Sequence, residues 1–173
     1  MITLRPATPA DASALAELGT SSFVDKFGHL YKSDDLELFL GEYRTAGKYR
    51  EYLADPAILI QVAEDGGELV GYCLIIRGDH FEERPAPHPQ RPVILSQLYC
   101  ASSATGQGIG SLLMDWALGE ARAWGADAVQ LSVYAENFGA HKFYHRRGFE
   151  KVADMGFWVG NHRDDEFLFE LKL

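Results

Sequence analysis

Three glycines stand at alternate positions, Gly106, Gly108 and Gly110, between an apolar run (VILSQLYC, Val93–Cys100) and an apolar helical pattern. A strand, a glycine loop and a helix start in that order constrain this chain more than any other feature. The first turn of a helix carries unpaired N–H groups and the positive end of the dipole, and glycine lets the backbone approach an anion closely. The loop therefore reads as a phosphate cradle, with a tight turn holding no ligand as the plain alternative. A Walker loop requires Gly-Lys-Ser/Thr, but Gly110 is followed by Ser111 and no lysine. A dinucleotide fingerprint requires G-x-G-x-x-G near the start of a βαβ unit. The spacing here is G-x-G-x-G, after a hairpin-like pair of strands. Neither ATP nor NAD is the expected ligand.

The flanking pattern predicts one mixed α/β layer domain. ITLRP (2–6) reads as a strand, and Thr8, Pro9 and Asp11 as the start of a helix. Apolar stripes follow at Leu15, Leu18, Phe23 and Phe27, then at Leu36, Phe39 and Leu40, and a further helix ends before Pro56. The period then changes to two. AILIQVAE and ELVGYCLIIRG read as strands joined at Asp65-Gly66-Gly67, a hairpin signal. GDHFEERPAPHPQRP, with four prolines, reads as an exposed loop, either a linker or a substrate gate. After the glycine loop a helix is expected, with Ile109, Leu112, Leu113, Trp116, Ala117, Ala121 and Trp124 facing the core and Gly125 ending it. A strand over AVQLSVY, a short helix closed by Gly148 and two final strands complete the order.

With 47% hydrophobic and 24% charged residues, the 173-residue chain is long enough to bury a core. Its longest apolar runs are far too short to span a bilayer, and the first residues lack the bias of a signal or transit peptide, so a cytoplasmic protein is expected. A formal net charge of −9 argues against nucleic acid or an anionic membrane as partner, and permits a cationic substrate. Cys73 and Cys100 read as reduced buried thiols, and the Cys/His spacing predicts no metal site.

About thirty residues past the loop lies LSVYAENFGAHKFYHRRGF. Asn137 and Tyr144, seven apart, fall two helical turns and about 10 Å from each other on one face. A ligand along that face could bond Asn137 and present a reactive atom to Tyr144. Asn137 reads equally as a helix N-cap, and Tyr144 as a core aromatic with its hydroxyl at the surface.

The two blocks together, QLYC…TGQGIGSLLM and LSVYAENFGAHKFYHRRGF, resemble the signatures of the Gcn5-related N-acetyltransferases. The later block, Asn-x-x-Ala-x-x-x-Tyr-x-x-x-Gly-Phe, falls on Asn137, Ala140, Tyr144, Gly148 and Phe149; the earlier falls on Gly108 and Gly110, with Thr105 where the family has Gln or Arg. SSFVDKFGHLYKSDDLELFL and FWVGNHRDDEFLFEL resemble the PaiA-like polyamine and small-amine branch.

The resemblance implies a single-domain fold over residues 1–173. Its mixed, mostly antiparallel sheet is flanked by helices and splayed at a cofactor gap. It implies acetyl-CoA as co-substrate, with the backbone of Leu98, Tyr99 and Cys100 on the pantetheine. Thr105, Gly106, Gln107, Gly108, Ile109, Gly110 and Ser111 would lie on the pyrophosphate, and Asn137 and Tyr144 along the acyl arm. An amine would attack the thioester directly, with Tyr144 protonating or hydrogen-bonding the leaving thiolate. The acceptor is expected to be a small-molecule amine, with a polyamine suited to the acidic early helices (Asp25, Asp34, Asp35, Glu37), and with Tyr31 and Trp158 as pocket walls or packing. No metal is implied, and homodimers are common in the family. The base is unassigned: family members often place a glutamate on the strand before the loop, and here Ile94 and Ser96 stand there. Glu136 is a candidate or a solvated charge, and His141 and His145 read as surface histidines. A non-catalytic acyl-CoA sensor and a peptide or protein N-acetyltransferase remain open alternatives.

Overall fold

A computed structural model describes all residues 1–173. The elements run β1 (Ile2–Pro6), α1 (Ala12–Phe27), α2 (Ser33–Tyr43), α3 (Ala46–Ala54), β2 (Ile58–Asp65), β3 (Glu68–Arg77), β4 (Pro92–Cys100), α4 (Ile109–Trp124), β5 (Ala128–Tyr134), α5 (Phe138–Arg146), β6 (Glu150–Val159) and β7 (His162–Lys172). The seven strands form one sheet in the order β1-β2-β3-β4-β5-β7-β6, antiparallel except at the β4–β5 pair. No helix is long and apolar enough to cross a membrane.

Local chemistry accounts for the boundaries. The Thr8 N–H and hydroxyl both donate to Asp11 (2.7 and 3.3 Å), so a short 3-10 turn at Pro9–Asp11 feeds α1. Gly66 and Gly67 take φ of 61° and 87°, the two positive values that a tight hairpin between β2 and β3 requires.

One face of the sheet carries α4 over Val93, Leu95, Val129, Leu131, Val133 and Phe169; the other carries α1 and α3 over Ile60, Val62, Tyr72 and Leu74. α1 packs so closely that a Cβ on Gly19 would lie 2.5 Å from the Tyr49 hydroxyl and 2.6 Å from that of Tyr72. The buried stripe of α4 is rotated from the expected one. It comprises Ile109, Leu113, Met114, Ala117, Leu118 and Ala121, while Leu112 is exposed and Trp116 and Trp124 sit half-buried at the margin. At 100° per residue, Leu112 lies about 150° from the centre of that stripe. Counting every apolar side chain of an apolar-rich helix as core placed it inside.

The gap that shapes the site follows from strand pairing. β4 and β5 pair only over Pro92–Ile94 and Ala128–Gln130, then diverge, because β5 is held by β7 along its whole length to Tyr134. β4 is also bulged: Gln97 faces Leu74 while Leu95 faces Ile75, which leaves Ser96 between them without a partner. Beyond the bulge, Gln97 is anchored by the Tyr49 and Tyr72 hydroxyls at 2.8 and 2.7 Å.

The proline-rich loop is tied to the rest of the chain at three places. The Phe81 N–H donates to the Gln130 side chain, the Arg84 guanidinium makes two 3.0 Å bonds to Glu170, and the Gln90 and Arg91 N–H groups donate to Asp127. No residue of it lines the clefts described below.

Candidate active site

α4 begins at Gly108, whose φ of 75° is left-handed, and Gly106 before it has φ of 82°. A side chain at either position would be strained. The first bond of the helix runs from the Leu112 N–H to the Gly108 carbonyl, so the amides of Ile109, Gly110 and Ser111 have no acceptor within the helix, and Gly108 brings no capping side chain. The loop thus presents open N–H groups and the positive helix end to the same space, an arrangement that receives a phosphate. Thr105 does not reach into it; its hydroxyl donates back to the Ser102 carbonyl at 3.0 Å. The Ile109 side chain is buried in the core, which leaves only its backbone to a ligand.

From the loop a cleft of about 560 Å³ runs between α5 and the diverged end of β4, lined by Leu98, Cys100, Gly110, Asn137, Ala140 and Tyr144 among others. It leads through the β4–β5 gap into a second cleft of about 510 Å³ on the α1–α2 side. Lys26, Phe27, Leu98, Tyr134, Asn137, Ala140 and Tyr144 belong to both. The structure therefore brings the expected Leu98, Tyr99, Cys100, Gly110, Asn137 and Tyr144 to one continuous space; of the glycine loop only Gly110 lines it, and Thr105, Gly106, Gln107, Gly108, Ile109 and Ser111 line neither cleft.

Asn137 is the N-cap that the sequence allowed, and it also faces the clefts. Its Oδ1 accepts the Ala140 N–H at 3.3 Å and caps α5, while the side chain lines both clefts. Tyr144 is packed by Phe143, Phe149 and Phe169, and its hydroxyl donates to no group of the chain. Burial holds that phenol well above its ordinary range, so it stays protonated. Burial pushes the Cys100 thiol up as well.

The acidic wall is not where the sequence suggested. Asp25, Asp34, Asp35 and Glu37 line neither cleft, and Asp35 instead accepts the Asn161 N–H at 2.8 Å. The carboxylates in the inner cleft are Asp164 and Glu166, on β7. Successive side chains of a strand alternate faces, so Phe167 and Phe169 pack under α4 and α5, while Asp164 and Glu166 point to the α1–α2 side. Asp164 accepts a short hydrogen bond from the Tyr31 hydroxyl and contacts His162 Nε2 at 3.1 Å. Burial, then Asp164, pushes the Tyr31 phenol well above its usual range. Glu166 accepts from the Ser132 hydroxyl at 2.8 Å, and burial, opposed by that bond and reinforced by Asp164, lifts its carboxyl to about 7. Asp-Asp-Glu inside a phenylalanine-rich strand pattern was the available signal for these acids, since period two separates 164 and 166 from 167 and 169.

Tyr31 and Trp158 line the inner cleft. Glu136 does not reach it; exposed at the outer mouth, it accepts from the Tyr134 hydroxyl at 2.7 Å. His145 is exposed and His141 half-buried, as surface histidines are, and each also bonds a backbone carbonyl, that of Phe149 at 3.0 Å and of Tyr134 at 2.9 Å respectively.

Comparison with known proteins agrees with this architecture. An N-acetyltransferase of uncharacterised role from Mycobacterium tuberculosis is 30% identical over 163 residues, covering 94% of this chain and 98% of that one. The aminoalkylphosphonate N-acetyltransferase of Salmonella typhimurium is 32% identical over 99 residues, 57% of this chain and 61% of its own. The crystal structure of PaiA N-acetyltransferase from Thermoplasma acidophilum in complex with coenzyme A superposes with a TM-score of 0.78 at 19% identity, covering 100% of this chain and 99% of that one. The sequence profile of the acetyltransferase (GNAT) family matches residues 24–149, and with the splayed sheet, the open glycine loop and the cleft joining them, the chain belongs to that family of acetyltransferases.

Proposed function

We infer that the protein moves an acetyl group from acetyl-CoA to the primary amine of a small molecule, acting as one N-acetyltransferase domain over residues 1–173. One observation carries this reading: the Tyr144 hydroxyl and the Glu166 carboxyl line the same cleft, one reaching it from α5 and the other from β7, on opposite faces of the sheet. Between them runs the β4–β5 gap, where the two strands no longer pair and an extended thioester arm could lie. The glycine loop at the outer end suits a pyrophosphate. The coenzyme A held by the structurally similar PaiA protein and the aminoalkylphosphonate acceptor named for the Salmonella relative support the same reading.

The chemistry follows from the placement. The acceptor amine lies beside Glu166 and Asp164, and its ammonium gives a proton to Glu166. An alkylammonium with a pKa near 10 facing a carboxyl near 7 makes that transfer uphill by about 4 kcal/mol, a gap that desolvation of the ammonium narrows. The nitrogen lone pair then attacks the thioester carbon. The backbone amide of Leu98, freed on the β5 side by the splay while that of Tyr99 is turned to β3, stabilises the developing oxyanion. As the C–S bond breaks the nitrogen sheds its second proton, and the thiolate leaves toward the Tyr144 hydroxyl, which hydrogen-bonds to it and passes it a proton, the one from the nitrogen making good the phenol. The acidic wall taken by itself would suit a polyamine as one such acceptor. The absence of a carboxylate on β4, the ground for a non-catalytic sensor, loses its force with Glu166 in the cleft.

Release of free CoA thiol from acetyl-CoA, followed across diamines, polyamines, amino acids, aminoalkylphosphonates and a peptide, tests the reading. Turnover on a small amine is expected, with kcat roughly a hundredfold lower in Tyr144→Phe and KM for acetyl-CoA little moved. No thiol release with any amine in folded protein, or an unaffected Tyr144→Phe, overturns it.

A further inference from the structure

Arg44, the residue that closes α2, lines the inner cleft and is only 8% exposed. A guanidinium has five N–H groups to satisfy. One donates to the Tyr43 carbonyl at 3.2 Å and one to the Tyr99 hydroxyl at 3.0 Å, while the Nε N–H is buried with no acceptor. None of the chain's ion pairs includes it. Its Cζ lies 5.1–5.9 Å from the ring centres of Phe23, Phe39 and Tyr99. Such rings attract the cation and fix the guanidinium in place. They do not supply a counter-charge, and a buried cation without one is costly. The chain therefore holds a charge in its substrate cleft for which it supplies no anion.

The same cleft holds the converse, the carboxylates Asp164 and Glu166. We propose that the acceptor carries both charges: a primary amine joined by a short chain to a carboxylate or phosphonate, with the amine end at Glu166 and the anion on Arg44. Tyr99, on which Arg44 rests, belongs to β4, and Glu166 to β7, two places along the sheet. Two places in a paired sheet span about 10 Å, and the divergence of β4 from β5 widens that here, so the two groups stand at least roughly 10 Å apart and several bonds separate the amine from the anion. A polyamine would instead bring a second ammonium to an unpaired guanidinium. The choice of which end reacts rests on the acetyl-transfer reading; the docking of an anion on Arg44 does not.

Calorimetric binding to CoA-saturated protein separates the two. The probes are 4-aminobutyrate, 3-aminopropylphosphonate, butylamine and 1,4-diaminobutane, matched in length and differing at one end. The wild-type protein is expected to bind the two anionic probes about tenfold or more tightly than the other two. That ratio falls toward one in Arg44→Gln and recovers in part in Arg44→Lys. The carboxylate and phosphonate arms decide between the two anions. Equal wild-type affinity for butylamine and both anionic probes overturns the proposal, and this arm stands alone if Arg44→Gln does not fold. An unchanged ratio in folded Arg44→Gln overturns it as well. Thiol release with the same probes tests the other reading: anion-dependent binding with no turnover on any amine removes acetyl transfer and keeps the subsite, whereas turnover best on diaminobutane with no anion preference does the reverse.

Discussion

Ser132 on β5 donates its hydroxyl to Glu166 Oε1 across the β5–β7 pair at 2.8 Å, and in doing so aims a buried carboxyl at the cleft that Tyr144 enters from the other face. Burial, the largest influence on this carboxyl, lifts it to about 7, while the Ser132 bond pulls down and Asp164 pushes up. A base with that pKa is half ionised near neutrality. The pH profile of kcat/KM is therefore expected to climb through about 7 as Glu166 loses its proton. Glu166→Gln keeps the hydrogen bond to Ser132 but accepts no proton. It should lower kcat/KM by roughly a hundredfold and remove that ascending limb. Initial rates from pH 5.5 to 9 check both; a limb that persists at the same position in the variant assigns the titration to another group.

The same shift makes a statement about stability. Glu166 has a folded pKa of about 7 against a model-peptide value near 4.5, so between these values the folded state holds a proton that the unfolded chain has released. The stability it contributes is fully present below about 4.5 and is lost as pH rises through about 7. In Glu166→Gln that dependence disappears. The variant is expected to gain on the wild type as pH rises from 5 to 8, by up to about 3 kcal/mol. Urea unfolding at pH 5 and pH 8 for both proteins measures the difference; a gap that stays constant between the two pH values contradicts the buried-acid account.

Glu166 also marks the limit of what the sequence discloses. The glycine loop, the strand and helix around it and the Asn137–Tyr144 spacing are local features, set by a few adjacent residues, and each was legible. So was the splay, as an implication of family resemblance. The acidic wall was not, because it depends on which strand ends beside which. Asp34 and Asp35 lie in the first turn of α2, where sequence reasoning sees an acidic patch, yet Asp35 is spent on the turn between β6 and β7 through the Asn161 N–H. Asp164 and Glu166 sit among phenylalanines near the C-terminal end, and only the placement of β7 beside β5, rather than beyond β6, carries them to the gap. Arg44 was invisible for a similar reason. Its burial needs rings from α1, α2 and β4 to converge, a packing event with no periodic signature.

The glycine loop yields a prediction independent of the acceptor. Gly108 has φ of 75°, and a Cβ built there would meet nothing within 4 Å, so the penalty for replacing it arises from backbone strain and not from a clash with the protein. Adopting the left-handed conformation costs an ordinary L-residue about 1–2 kcal/mol, and a β-branched one more. Gly108→Val either strains the loop by that amount or relaxes φ, and relaxation swings the Ile109 and Gly110 amides away from their common target. The open space beside Gly108 is also where a phosphate would approach those amides, so the valine side chain competes for it directly. Affinity for CoA is expected to fall by at least about a hundredfold, as several charge-assisted bonds are lost together, while the melting temperature drops by only a few degrees. Dephosphorylated analogues separate the causes. If the loop holds the pyrophosphate, acetyl-pantetheine, which lacks it, should bind wild type and Gly108→Val with nearly equal affinity. Calorimetry that found CoA binding intact in the folded variant would show that the amides of this loop are not the phosphate site.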